Sequence, residues 1–444
     1  MTKQWRWGIV GALILLAGIA AAVPVFNGWQ AEQTWHNQID ELNARLAAAG
    51  DGSGARIIEY ERGAFAARTR ALVELSAANF SPAMRATLAL PPGPAELMLT
   101  QTLRHGWRGV SFDGYLQPVG ALAETFARLG GHERSVRIAG RFGMGRQSLT
   151  VESELLAGAL DPAGTLRLRS EPLRFEADYH DRSDRLTTRL VWPELSLQAP
   201  ETDGALRLEG VLITTDARLL AGTPTQGLWV GESQLDLGLF SLEPASEPGL
   251  TLRQFASRAS TREGEAGLVE ADFDFDWASL AIGRLPPLRG GFALAIERLA
   301  PAGLLALSQH TPGADPPATF DARQRRALAL LAEAGPRFAL TRLRLENPAG
   351  AGMSGTADLR ILPLMADRLR MGESGMALWS AARLDAAMGI DDALARAFPA
   401  EQASWLRQLQ AFGVLQRQDD QWRLEVSMDE GRLSVHGQPW WRGG

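Results

Sequence analysis

The 444-residue chain contains no cysteine. That excludes a disulfide framework, a thiolate metal site, a cysteine nucleophile and a lipoprotein anchor attached through cysteine. Lysine is almost absent as well: Lys3 stands alone, and the other 44 basic residues are arginine. Because Lys3 precedes an apolar run, the body has no lysine for a Walker-type phosphate loop, a Schiff base or a Ser-x-x-Lys nucleophile. An excess of basic charge is missing too. The formal net charge is −6 and the pI near 5.7, so no overall positive field invites nucleic acid. With 45% hydrophobic and 22% charged residues, the chain is neither wholly disordered nor a multi-span membrane protein.

One long apolar run is present. Residues 8–26 carry no charge and, at 1.5 Å per residue, reach about 28 Å, close to the thickness of a hydrocarbon core. Lys3 and Arg6 precede the run, and Glu32 and Asp40 follow it. The positive-inside rule then leaves the N-terminus in the cytoplasm and sends the body across a bacterial inner membrane into the periplasm. Trp5, Trp7 and Trp29 stand where interfacial aromatics belong. A cleaved signal peptide is the alternative, with Ala20-x-Ala22 as its site. The uncleaved anchor is favoured because the apolar run continues past that site. After the anchor (residues 1–27), residues 28–50 read as an amphipathic helix, with Trp35, Ile39, Leu42 and Leu46 on one face.

From about residue 55 the period changes to two. Leu235-Asp-Leu237-Gly-Leu239, Phe273-Asp-Phe275-Asp-Trp277, Phe292-Ala-Leu294-Ala-Ile296 and Trp422-Arg-Leu424-Glu-Val426 alternate strictly. One apolar and one polar side per strand is the pattern of antiparallel sheet. Turn sequences separate the strands, among them Asp161-Pro-Ala-Gly164 and Asn347-Pro-Ala-Gly350. Helices are expected at 118–129, 299–309, 319–334 and 391–413, the last broken near Pro399, and a loop at 364–375. The expected class is α+β: an N-terminal transmembrane helix, then a long, curled antiparallel sheet with a few packing helices, mostly in the last third. A β-rich region over 51–285 and an α+β region over 286–444 meet at the Pro/Gly-rich stretch 283–290.

Specific motifs point to a family. Glu59-Tyr60-Glu-Arg62-Gly63-Ala-Phe65 opens an early strand, and Arg104-His105-Gly106 follows. Near the end come Gly335-Pro336-Arg-Phe338, Gly355-Thr356-Ala-Asp-Leu359, Ala382-Arg-Leu384-Asp-Ala and Glu430-Gly431-Arg-Leu433-Ser-Val-His-Gly437. On these the chain resembles the YdgA-like family, bacterial proteins of unknown function with a membrane anchor and a periplasmic body. Trp107 stands where that family has a proline. The shared motifs are glycines, turns and apolar alternation, and they imply no reaction.

No catalytic, cofactor-binding or metal-binding set emerges. His105, His132, His180, His310 and His436 are far apart in sequence. Ser354 in Gly352-Met-Ser-Gly355 misses the nucleophile-elbow spacing and reads as a turn serine. Gly140-Arg-Phe-Gly143-Met-Gly145 lacks the nucleotide-loop order. Asp272, Asp274 and Asp276 share a strand face and could approach a cation, but read as a solvated face opposite arginines. Arg167 with Arg169, and Arg342 with Arg344, likewise share strand faces. The expected role is non-enzymatic binding or scaffolding in the cell envelope. One alternative is a carrier of lipid or another apolar ligand in an open groove lined by Leu237, Phe273 and Phe275; another is an enzyme with a site built from dispersed loops. Expected partners are the inner membrane through residues 8–26, a lipid or envelope protein, and a second copy of the chain; no nucleic acid is expected.

Overall fold

The computed structural model describes residues 52–63, 65–76, 93–106, 109–143, 145–199, 204–224, 227–244, 249–283, 285–308, 322–372, 376–398 and 403–442, with helical residues 32–33, 35–37, 39–40 and 43–44. The expected anchor lies outside them. Among the described residues no helix is long and apolar enough to cross a membrane. The chain divides into two compact units: residues up to Ser183 with Thr187–Thr202, and Asp184–Leu186 with Asp203 onward.

The first unit is an antiparallel meander. β1 (Gly54–Arg62), β2 (Ala66–Leu75), β3 (Ala95–Gly106), β4 (Gly109–Val119), β5 (Val136–Gly143) and β6 (Arg146–Ser153) each pair with the next. β6 continues into β7 (Leu156–Ala159), and β8 (Arg167–Ser170) into β9 (Arg174–His180). β6 pairs with β9, β7 with β8, and β8 with the far end of β10 (Arg185–Ala199), so two broken strands act as one ladder. Ala67, Leu103 and Val110 form the core, with Tyr60, Phe112 and Phe142 packed against them. Gly140 is placed by that packing: a Cβ there would lie 2.5 Å from the Phe112 ring and 2.2 Å from Ser148 O. The helix expected from Pro118 begins at α1 (Ala121–Arg128), because Pro118 still pairs in β4, opposite Leu97.

The described residues between 32 and 44 pack on this same unit. Glu32 pairs with Arg62 at 3.0 Å. The Asn43 side chain accepts from Ala55 N and donates to Ala55 O, both at 2.7 Å.

The second unit is a longer meander: β11 (Gly204–Ala221), β12 (Leu228–Glu243), β13 (Leu250–Glu263), β14 (Val269–Ile282), β15 (Leu288–Leu299), β16 (Arg337–Glu346), β17 (Gly352–Ile361), β18 (Ala382–Asp391) and β20 (Gln421–Asp429) pair in succession. β19 (Gln416–Gln418) and β21 (Arg432–Val435) flank β20 on its free side, and β22 (Gln438–Arg442) pairs with β21. The stretch 283–290, read from sequence as a region boundary, falls where β14 gives way to β15, and these two strands pair from Leu280↔Leu288 to Val269↔Leu299.

Two groups of helices cover opposite ends of one face of this sheet. α2 (Pro301–Ser308), α3 (Ala322–Glu333), α4 (Leu364–Arg370) and α5 (Met376–Trp379) lie at the end where β17 stops. There Ala329, Ala332, Ala366 and Leu369 bury against one another and hold Ile361 and Leu378. α6 (Asp392–Ala397) and α7 (Ala403–Ala411) lie at the other end, where Leu394 and Leu406 pack with Ile390, Leu415, Met388 and Leu424. Asp392 fixes α6 to the sheet: its carboxylate accepts from Trp422 Nε1 at 3.0 Å and from Arg417 at 2.9 Å, and pairs with Arg396. Burial pushes its pKa up, but the Trp422 bond and the two guanidiniums carry it below the ordinary value. The loop expected at 364–375 is corrected at its start. Residues 364–370 are α4, with Pro363 pre-set for the first turn and Ala366 and Leu369 turned inward.

Candidate apolar ligand-binding face

Directly opposed residues on antiparallel strands share a face. Ile213 opposes Leu235, Leu235 opposes Ser257, Ser257 opposes Phe275, Phe275 opposes Phe292, and Phe292 opposes Leu343. The row continues through Gly355 to Met388 and Leu424. A parallel row carries Phe273, Leu294, Leu340, Ala357 and Ala386. Period-two sequence in each strand, summed over the meander, has become a continuous apolar surface. Aromatic rings concentrate at its centre. Phe275 and Phe292 stack with centroids 4.5 Å apart, Phe255 lies 6.4 Å from Phe275, and Trp277 meets Phe292 edge-on at 6.3 Å.

These side chains are not sealed. Leu237, Phe273, Phe275, Trp277, Phe292, Leu294 and Leu343 are all half-buried, and none belongs to either helix-covered cluster. The face is therefore a strip of apolar floor between two helical shoulders. Half-buried aromatic and aliphatic side chains in one continuous row make this face the candidate site for an apolar ligand.

The opposite face is charged. Arg342 donates to Asp274 and Asp276, each at 3.0 Å, and Arg262 pairs with Asp272 at 2.5 Å and with Glu270 at 2.8 Å. Asp276 hydrogen-bonds Asp274 and holds its pKa above the ordinary carboxylate value. The same bond, together with Arg342, holds Asp276 below it. The three aspartates thus form the arginine-neutralised outer face expected of their spacing.

The family model described as "Bacterial protein of unknown function (DUF945)" matches residues 1–440. The chain belongs to the DUF945 family. No curated protein and no solved structure matches it.

The polar candidates of this DUF945 chain stay apart. His105 is buried on β3, its pKa pushed down by that burial, and neither ring nitrogen has a hydrogen-bond partner among the described residues. His132 Nε2 sits 2.9 Å from Glu154 on the surface. His180 ends β9, and His436 Nε2 lies 3.1 Å from Val414 O in the second unit. His310 lies outside the described residues. Among the described residues no group of three or more His, Asp or Glu is placed to hold a metal ion.

Ser354 is not a turn residue. It stands within β17 opposite Arg344 and Gly389, because the alternation of Met353, Gly355 and Ala357 continues straight through it. Gly143 and Gly145 form the β5–β6 hairpin, with φ of 134° and 83°. Arg169 pairs with Glu171, and Arg344 with Glu346 at 2.6 Å. In this DUF945 chain, then, the glycines serve a turn, and the aspartates and the paired arginines serve outer faces. The residues that do converge are the aromatics. Phe255 and Phe292 were not singled out from sequence, although Phe292-Ala-Leu294-Ala-Ile296 carries the same period as Phe273-Asp-Phe275.

Proposed function

We propose that this DUF945 protein is a non-enzymatic binding protein of the bacterial cell envelope that holds an apolar molecule, of the acyl-chain type, on the open face of its second unit. The observation that carries this is the stacked Phe275–Phe292 pair, half-buried between the two helical shoulders. Apolar side chains left at a surface lose about 25 cal/mol per Å² relative to burial, so a ligand that covers them gains that free energy. The resemblance to the YdgA-like family and the uncharged run at 8–26, preceded by Lys3 and Arg6, support a single-span inner-membrane anchor with the body in the periplasm.

A photo-crosslinking amino acid at position 292, in the full chain expressed in bacteria, tests the reading. The expected result is a small apolar adduct by mass spectrometry at 292 and none at 342 on the charged face. Adducts at neither position, or equally at both, overturn it. A crosslink from 292 to a protein replaces the lipid-type ligand with an envelope protein partner.

A further inference from the structure

The helical shoulder formed by α2 to α5 is unusual in what it leaves outside. Ala366 and Leu369 of α4 are buried, while Leu364, its first residue, and Met371, which caps its C-terminus, are 50% and 69% exposed. Those two are seven positions apart, hence on one helix face, with Asp367 and Arg368 between them. Trp379 on α5 is 49% exposed. The next residue, Ser380, lies beside the turn at Gly431, where a Cβ would come within 3.2 Å. Phe338 and Trp440, also exposed, sit on strands at this same end. Among the described residues the second unit exposes eight large apolar side chains, and five of them are here.

Charge is skewed the same way. α2 to α5 carry five arginines and two acidic residues, in a chain whose net charge is −6. Arg370 is engaged with Glu333 and Asp367. Arg323 and Arg326, one turn apart on α3, have no carboxylate partner among the described residues. α2, Pro-Ala-Gly-Leu-Leu-Ala-Leu-Ser, has no charge at all, and its leucines are only half-buried. Tryptophan, leucine and methionine interleaved with arginine match the layers of a bilayer interface. Indole rings sit at headgroup level, apolar tips reach the acyl boundary, and guanidiniums take phosphate oxygens in bidentate fashion. The positive excess on an otherwise acidic chain selects an anionic surface.

We propose that this helical end of the second unit docks on the surface of an anionic phospholipid bilayer. Docking does not require a ligand on the sheet, so it stands or falls separately from the binding role proposed above. It does place the end of the apolar strip nearest α3 and α4 next to lipid.

The cysteine-free chain allows a direct test. A single Met371→Cys, labelled with an environment-sensitive fluorophore in the full chain, is compared with Phe412→Cys at the opposite end of the same unit. Vesicles of phosphatidylethanolamine with phosphatidylglycerol are compared with phosphatidylcholine alone. The expected result is a blue shift and quenching by spin-labelled lipid at 371 in the anionic vesicles only, with no change at 412. Arg323→Glu with Arg326→Glu should weaken the response by about tenfold or more, at about 1 kcal/mol per arginine, while the circular dichroism spectrum stays that of the parent. A probe at 371 that stays in water overturns the proposal, as do equal shifts at both positions. So does a shift that grows with protein concentration in the absence of lipid, which would make the patch a contact between proteins. Absence of an adduct at 292 would end the ligand reading and leave this result untouched.

Discussion

Arg342 on β16 reaches across an entire strand to bond Asp274 and Asp276 on β14, at 3.0 Å each. Small residues on the intervening β15 leave the path open. Ala293 stands between Arg342 and Asp274, and Gly291 is paired with Asp276. A register shift between β15 and β16, where Ala293 pairs with Arg342 and the next residue, Leu294, with Leu340, sets Arg342 at this height. Two carboxylates on one strand and one guanidinium two strands away therefore behave as a single ionic group.

Arg342→Ala should lower stability by about 0.2–1 kcal/mol at neutral pH, the range for solvent-exposed pairs. The pH dependence has a definite sign. Asp276 has a depressed pKa, so its contribution is present above the ordinary value of 3.8 and is lost as pH falls through its folded value. Asp274 is raised, so its ionised form weakens the fold as pH rises, and Arg342 offsets that. The gap between wild type and variant should widen from pH 3 to pH 7 in urea titrations. A gap independent of pH would mean the arginine acts by packing alone.

Gly291→Ala should cost more than its single methyl suggests. The added Cβ would lie 2.1 Å from Phe275 O and 2.5 Å from Asp276 Oδ1, so the ladder itself must shift. A loss of about 1–3 kcal/mol is expected, in the range of overpacked sites. Gly350→Ala provides the contrast, since open space surrounds its Cβ and only its φ of 83° opposes the change.

Asp161 organises the turn Asp161-Pro-Ala-Gly164. Its carboxylate accepts from the Thr165 hydroxyl at 2.6 Å, from Leu166 N at 2.8 Å and from Thr165 N at 3.2 Å. These bonds, the hydroxyl foremost, bring its pKa down to about 2. Its contribution is thus complete above the ordinary 3.8 and fades as pH falls toward 2. Asp161→Ala should lower the urea midpoint at pH 7 and lose that difference in acid. Asp161→Asn should keep most of the stability and abolish the pH dependence. Asn347 already does the same work in the sister turn, accepting from Ala349 N and Ala351 N at 3.0 Å each.

Phe292→Ala measures how open the apolar face is. A phenylalanine sealed in a core costs about 3–5 kcal/mol on truncation. Phe292 keeps part of its surface in water, so a cost below that range, about 2–3 kcal/mol, is expected by scaling the area already hidden from water. A cost at the sealed-core level would show that the strip is closed in solution.

The strands were legible because alternation survives in each one separately: Phe273-Asp-Phe275-Asp-Trp277 needs no partner to announce its two sides. What lies over those sides was not. Period two assigns Phe292 to an apolar face, but whether a helix covers it depends on where α3 and α6 dock, which is a matter of contacts distant in sequence. α4 was missed because seven residues with two inward positions, Ala366 and Leu369, leave Leu364 and Met371 outside and blur the helical period. The Arg342 bridge was hidden for another reason. It depends on the register of three strands at once, and a shift of one residue on β16 would turn the guanidinium to the other side.

Nearly every strand of the second unit finds its partner in the strand just before it in the chain. Such an order lets the sheet grow by adding one hairpin at a time, and keeps low the loop-closure entropy that slows sheets built from distant segments. A chain that emerges N-terminus first can then hide each new edge with the next strand, so that no long unpaired edge waits in solution for the wrong neighbour.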